Sequence, residues 1–210
     1  MSDMMSGGDG LITSVEALKA IYGDVGEASI TKVTTVLTPE YRQMIEIAPF
    51  VALATVGPEG LDCSPRGDLG GVVRVKDDRT LLLPDWRGNN RVDSLINIVR
   101  DPRVALMFLV PGSTTTMRVN GKAVVSAEPS LLESFEMDGK HPRTVAIVAI
   151  DEVYFQCARA LMRSELWNAD RFIDPKTLPT PGQLMKAAKA DFDRETYDRE
   201  WPARAAKTMW

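Results

Sequence analysis

The chain has 210 residues, 44% of them hydrophobic and 26% charged, with a formal net charge of −4. That supports one core with terminal additions, and it argues against nucleic acid as a partner, because sequence-independent binding rests on neutralising phosphates. With one histidine (His141) and two distant cysteines (Cys63 and Cys157), a His-rich metal site, a CxxC zinc element and a disulfide framework are all excluded, so no metal is expected.

Met1 to Gly10 is polar and glycine-rich and reads as a disordered N-terminus without the charged start and apolar run of a signal peptide. No apolar run approaches the ~18 residues that cross a bilayer, so no membrane partner is expected and the compartment reads as a reducing cytoplasm. Ser14 to Tyr22 suits a short helix capped by Ser14. Thr38-Pro39 opens a second: Thr38 caps it, Pro39 takes the first helical position and Glu40 suits the positive end. It should stop before Pro49.

From Phe50 the pattern turns to strands. Phe50-Val-Ala-Leu-Ala-Thr-Val56 is a compact apolar run, followed by the turn signal Gly57-Pro58-Glu59-Gly60 and a second strand over residues 61–66. Val72 to Val75 and Thr80 to Leu83 form a further hairpin across a polar turn. Val92, Leu95, Ile96 and Val99 then recur at helical spacing, in a helix expected over 88–99 and ended by Asp101-Pro102. Val104 to Val110, Met117 to Ala127 and Val145 to Cys157 read as strands, with a short helix from Pro129 to about Met137. Residues 158–210 read as mainly helical, interrupted at Pro175 to Pro181. Short strands joined by tight turns predict a mainly β, α+β chain built on a small antiparallel barrel.

Chemistry concentrates at Trp86-Arg87-Gly88-Asn89-Asn90-Arg91. A helix N-terminus carries about half a positive charge and free N–H groups, so Arg87 and Arg91 there run against the usual preference. A bound anion would make the arrangement favourable, and Gly88 would allow close approach. Solvated arginines explain the segment equally simply. Arg66, in Cys63-Ser-Pro-Arg-Gly-Asp68, can aim a cation from a strand end or lie in a plain turn. Arg159 to Trp167 brings together two arginines, a serine and a tryptophan, or is a plain surface helix. There is no G-x-S-x-G elbow, P-loop or G-x-G-x-x-G, and a Ser-His-Asp triad would have to use His141 in the loop-like Lys140-His-Pro-Arg143. If the chain is an enzyme, an organic cofactor carries the chemistry.

From Pro49 to about Phe172 the sequence resembles the pyridoxamine 5'-phosphate oxidase-like flavoproteins. The resemblance runs through Pro49 to Val56, Leu81-Leu-Leu-Pro-Asp-Trp86, Arg87 to Arg91, Asn97 to Ala105 and Met117-Arg-Val-Asn-Gly-Lys-Ala123. A bacterial subgroup also carries elements like Ser64 to Asp68 and Cys157 to Trp167 together. The resemblance implies an antiparallel split β-barrel of six to seven strands with flanking helices at both termini. Helices over 11–48 would pack on a barrel at 49–172, followed by a helical tail at 173–210. It implies FMN as cofactor and a homodimer with FMN at the subunit interface, serving a small-molecule substrate or electron donor.

Residue roles follow from the same resemblance. Asn90 and Arg91 would hold the FMN phosphate with help from Arg87. Pro84 and Asp85 would border the cofactor, and Thr116 and Met117 would reach the isoalloxazine region. Arg66 would lie beside the second-strand contacts, and Arg163, Ser164 and Trp167 would close the site. Arg66 or Arg163 would supply positive charge near N1 and O2. No catalytic side chain is assigned. The Arg-x-His of the true oxidases is missing, so the expected activity is an FMN-dependent oxidoreductase other than pyridoxamine phosphate oxidase. The alternatives are a non-catalytic protein that binds or senses FMN or another planar cofactor such as haem, and a structural dimer with a vestigial site.

Overall fold

In the computed structural model, residues 10–208 are described. The expectation of disorder over Met1 to Gly10 therefore lies, but for Gly10, outside the described residues. The chain divides into two compact units, the first reaching Val33 and the second beginning at Thr34. In the first unit, helix α1 spans Val15–Tyr22. Ser14 Oγ accepts from the Ala17 N–H at 3.1 Å, satisfying one of the orphan donors of the first turn. A second helix, α2 (Glu27–Thr31), was not anticipated.

The second unit opens with α3, Pro39–Glu46, where Thr38 caps the Tyr41 N–H and Pro39 occupies the first turn, as the sequence dictates. Its Ile45 is fully buried. Seven strands follow: β1 (Phe50–Gly57), β2 (Gly60–Gly67), β3 (Arg74–Asp77), β4 (Thr80–Asp85), β5 (Arg103–Leu109), β6 (Thr116–Ser126) and β7 (Thr144–Gln156). Helix α4 (Asp93–Arg100) lies between β4 and β5, and α5 (Pro129–Glu133) between β6 and β7. Beyond β7 come α6 (Arg159–Ser164), short 3-10 turns at Ala169–Arg171 and Pro175–Thr177, α7 (Pro181–Ala188) and α8 (Arg194–Thr208).

The strands form one sheet in the order β2-β1-β5-β6-β7-β4-β3, every pairing antiparallel. The edge strands β2 and β3 are consecutive in sequence yet unpaired, so the curled sheet is a split barrel. Alternation fills it: Val51, Leu53, Leu106, Phe108, Val119, Val148 and Val153 turn into one core cluster. Helix α3 packs on β3, β6 and β7, and α4 covers β1, β2 and β6. Two glycines allow close approaches. A Cβ on Gly57 would collide with the Asn97 amide of α4, and one on Gly121, at the β6 bulge, would collide with the Ala149 carbonyl. Asn97 Nδ2 in turn donates to the buried Thr55 Oγ1 at 3.2 Å.

Helix α4 begins at Asp93, not at residue 88. The Asn89 side chain accepts the Arg91 N–H at 2.9 Å, and Asn90 adopts a left-handed φ of 63°. Such local asparagine bonds compete with helix formation, so residues 86–92 are a loop that delivers the chain to the helix.

Candidate cofactor site

Three pieces of backbone converge beside that loop. Strand β2 ends at Gly67, β4 ends at Asp85, and Arg143 precedes β7, whose Thr144 pairs with Asp85. Together with the 86–92 loop they enclose a cavity of about 310 Å³ lined by Arg66, Arg87, Arg91 and Arg143, by Asp68 and Asp85, and by Val72, Pro84, Trp86 and Val92 among others. That size falls at the lower end of the ~300–1,000 Å³ typical of small-molecule sites.

Arg66 is the most tightly placed cation. Its side chain is 21% exposed, with Nε 3.6 Å from Asp85 Oδ1. One terminal nitrogen donates to the Pro65 carbonyl at 2.9 Å, and the other reaches Ser94 Oγ at 3.5 Å. Ser94, buried in the first turn of α4, donates to Asp62 Oδ2 at 2.5 Å, and Ser64 donates to the same oxygen at 2.8 Å. The Ser94 hydrogen bond, above all, holds the Asp62 carboxyl below the ordinary range. Burial opposes it, while Ser64 and the charges of Arg66 and Arg91 assist. One carboxylate thus ties β2 to α4 and fixes the wall that carries Arg66.

Asp85 is the opposite case. Burial pushes its carboxyl above the ordinary range, against the pull of Arg66 and Arg143. The Arg143 N–H donates to the Asp85 carbonyl at 2.9 Å, and its guanidinium donates to Asn90 Oδ1 at 2.7 Å. Trp86 Nε1 donates to Asp68 Oδ2 at 2.8 Å, joining the ends of β4 and β2. Arg91 is 80% exposed and donates to Asp93 at 2.6 Å. Val92, at the cap position of α4, brings no side-chain acceptor to the first-turn N–H groups. The cavity lining stops there, at Val92, before the first turn of the helix.

Of the residues singled out from sequence, Arg66, Pro84, Asp85, Arg87, Asn90 and Arg91 all line this cavity. Thr116 and Met117 open β6, both buried, with the Met117 side chain in the barrel core. Arg163 and Ser164 lie on α6, and Trp167 donates to the Ser113 carbonyl at 2.7 Å. None of this second group lines the cavity, and of the three later residues only Trp167 is bonded to the loop before β6. Arg143, Ser94 and Asp62 were not selected from sequence, and Trp86 stood in the selected segment without a role. Arg143 had one signal: a basic loop, Lys140 to Arg143, directly before the longest strand.

The sequence model described as "Pyridoxamine 5'-phosphate oxidase" matches residues 37–157, more than half of the chain. The chain belongs to this family. All the cavity residues named above fall inside the pyridoxamine 5'-phosphate oxidase match, whereas α6, α7 and α8 lie beyond it. No curated protein matches the sequence. Among solved structures the chain is similar to a putative pyridoxamine 5'-phosphate oxidase from Lactobacillus delbrueckii, at 26% identity and a TM-score of 0.47 over 58% of this chain and 95% of that one. It is similar to HupZ of Group A Streptococcus at 19% identity and a TM-score of 0.47, covering 57% and 93% of the two chains. A likeness to an FMN-binding protein from Syntrophomonas wolfei has 12% identity and a TM-score of 0.44, covering 68% and 97%.

Proposed function

We propose that this member of the pyridoxamine 5'-phosphate oxidase family is an FMN-dependent oxidoreductase, cytoplasmic and homodimeric, acting on a substrate other than pyridoxamine phosphate. The observation that carries the cofactor reading is the cavity itself. It places four arginines against two carboxylates, and both carboxylates already have partners, Asp68 in Trp86 and Asp85 in Arg66. A phosphate suits that donor set, because charge-assisted hydrogen bonds from guanidinium groups are the strong ones. Val72, Pro84, Trp86 and Val92 offer apolar surface to a flat ring.

Within this reading Arg66 binds the phosphate, with Arg91 at the rim, while Arg143 and Arg87 face the neighbouring side of the loop. Asn90, held by Arg143, fixes the loop. Bound FMN would supply hydride or electron transfer, so the protein needs to bind, orient and exclude water rather than provide a nucleophile. The homodimer reading draws support from a surface of α4 that adjoins the cavity at Asp85, Val92 and Arg143. There Val92, Leu95, Ile96, Val99 and Val125 line an apolar groove, and Thr144 Oγ1 is buried with no hydrogen-bond partner among the described residues. In a dimer, Arg163, Ser164 and Trp167 would close the site across the interface. The choice of another substrate rests on His141 being the sole histidine, placed before β7 rather than near the C-terminus.

Purified protein is expected to carry or take up FMN, to be reduced by a nicotinamide donor and to reoxidise on oxygen or a quinone. Protein that takes up no flavin would overturn the reading, and flavin that binds but stays redox-silent would reduce it to a binding protein.

A further inference from the structure

The C-terminal helices lie outside the family match, and one of them reaches the cofactor loop. Along α8, Tyr197, Trp201 and Arg204 are four and three residues apart and so share one face. Their rings and guanidinium are in register: Tyr197 and Trp201 stack at 6.2 Å, and Arg204 Cζ sits 4.7 Å from the Tyr197 ring and 5.4 Å from the Trp201 ring. Phe192 braces Tyr197 edge-on at 5.4 Å. This face, with Ala205, forms one wall of a groove of about 590 Å³ whose other wall is Arg87, Gly88, Asn89, Asn90 and Arg143. The groove therefore adjoins the cofactor cavity through the 87–90 loop and Arg143.

Its composition is selective. Three arginines line it and no carboxylate does, so its lining favours an anionic ligand. No ion pair holds Arg87 or Arg143 among the described residues. The aromatic pair orients Arg204 by cation–π attraction, and Trp201 keeps 46% of its surface exposed. Polar bonds tie the helix to the start of α7: Asp198 accepts from Thr180 Oγ1 at 2.5 Å and from the Gly182 N–H at 2.8 Å. Burial of an apolar stripe does not explain α8, since its mean composition is polar and Tyr197, Asp198 and Ala205 are only half-buried.

We propose that this groove is a second ligand subsite that takes a nucleotide. The base lies against Tyr197 and Trp201, and the phosphate sits among Arg87, Arg143 and Arg204. Aromatic surface beside clustered guanidinium groups matches that ligand, because every base has a π face and arginine forks bind phosphate bidentately. Its meaning as a substrate subsite rests on the cofactor reading, whereas nucleotide binding itself does not.

The test is calorimetric titration of full-length, FMN-treated protein with 5'-AMP, adenosine and inorganic phosphate. AMP should bind with any flavin retained, and adenosine or phosphate alone should bind about tenfold more weakly or worse. Arg204→Ala and Trp201→Ala should each weaken AMP by about tenfold without altering flavin uptake, while Trp201→Phe, which keeps a ring, should bind AMP nearly as well as the parent. Circular dichroism checks that the variants fold. AMP that fails to bind at millimolar concentration, that binds only by displacing FMN, or that ignores both alanine variants would overturn the proposal. Colourless protein that still binds AMP in this variant-sensitive way would sink the cofactor reading alone.

Discussion

Arg66 and Ser94 show how single side chains set the character of the site. Arg66 is positioned by a strand, by Asp85 and by Ser94, whereas Arg91 projects into solvent with Asp93. The expectation that Arg91 carries the phosphate is therefore sharpened: Arg66→Ala should cost more FMN affinity than Arg91→Ala, by about 1.5–3 kcal/mol for a charged hydrogen bond lost in an enclosed place. Ser94→Ala removes the main support of the ionised Asp62 and should lower stability by about 1 kcal/mol at neutral pH. The Asp62 pKa is depressed in the folded state, so its contribution is present above the unfolded carboxylate pKa and is lost as pH falls through the folded value. The melting-temperature gap between parent and Ser94→Ala should accordingly be full at neutral pH and close in acid. A gap independent of pH would show that Ser94 acts by packing alone. None of this network was legible in the sequence, because Asp62, Ser64 and Ser94 meet only when α4 folds across β2.

Among the elements, what was legible had local causes. The helix starting at Pro39 was signalled by Thr38 and Pro39 in the order the cap requires, and the first hairpin by the turn residues Gly57 to Gly60 after a compact apolar run. The start of α4 was read too early because the apolar spacing of Val92 to Val99 says nothing about where the helix begins. The Asn89 turn and the left-handed Asn90 decide that. Arg143 was missed because its place depends on the register of β7 with β4, a contact between distant parts of the chain. The fit of α4 on β1 depends on Gly57, where a methyl group would enter the Asn97 amide. Gly57→Ala should destabilise the protein by about 1–3 kcal/mol through overpacking, read as a lower urea midpoint. An unchanged midpoint would mean that Asn97 has room to move.

At the scale of the whole molecule, the split barrel followed from strand patterning and from the family resemblance together, and the family match bears out the latter. The unit boundary at Thr34 had no sequence signal. The apolar groove on α4 leads to a prediction about assembly. Val99, 76% exposed in the single chain, should be covered in the homodimer, so Val99→Glu should shift the light-scattering mass from dimer to monomer while leaving the far-ultraviolet spectrum unchanged. A monomeric parent protein would contradict it.

Equilibrium titration of FMN into the protein and into Arg66→Ala, followed by flavin fluorescence, decides whether the cavity holds FMN through Arg66. Saturable binding by the parent at one FMN per chain is expected, with affinity weakened about tenfold or more in the variant. No binding by the parent, or equal affinity in the two proteins, would contradict it.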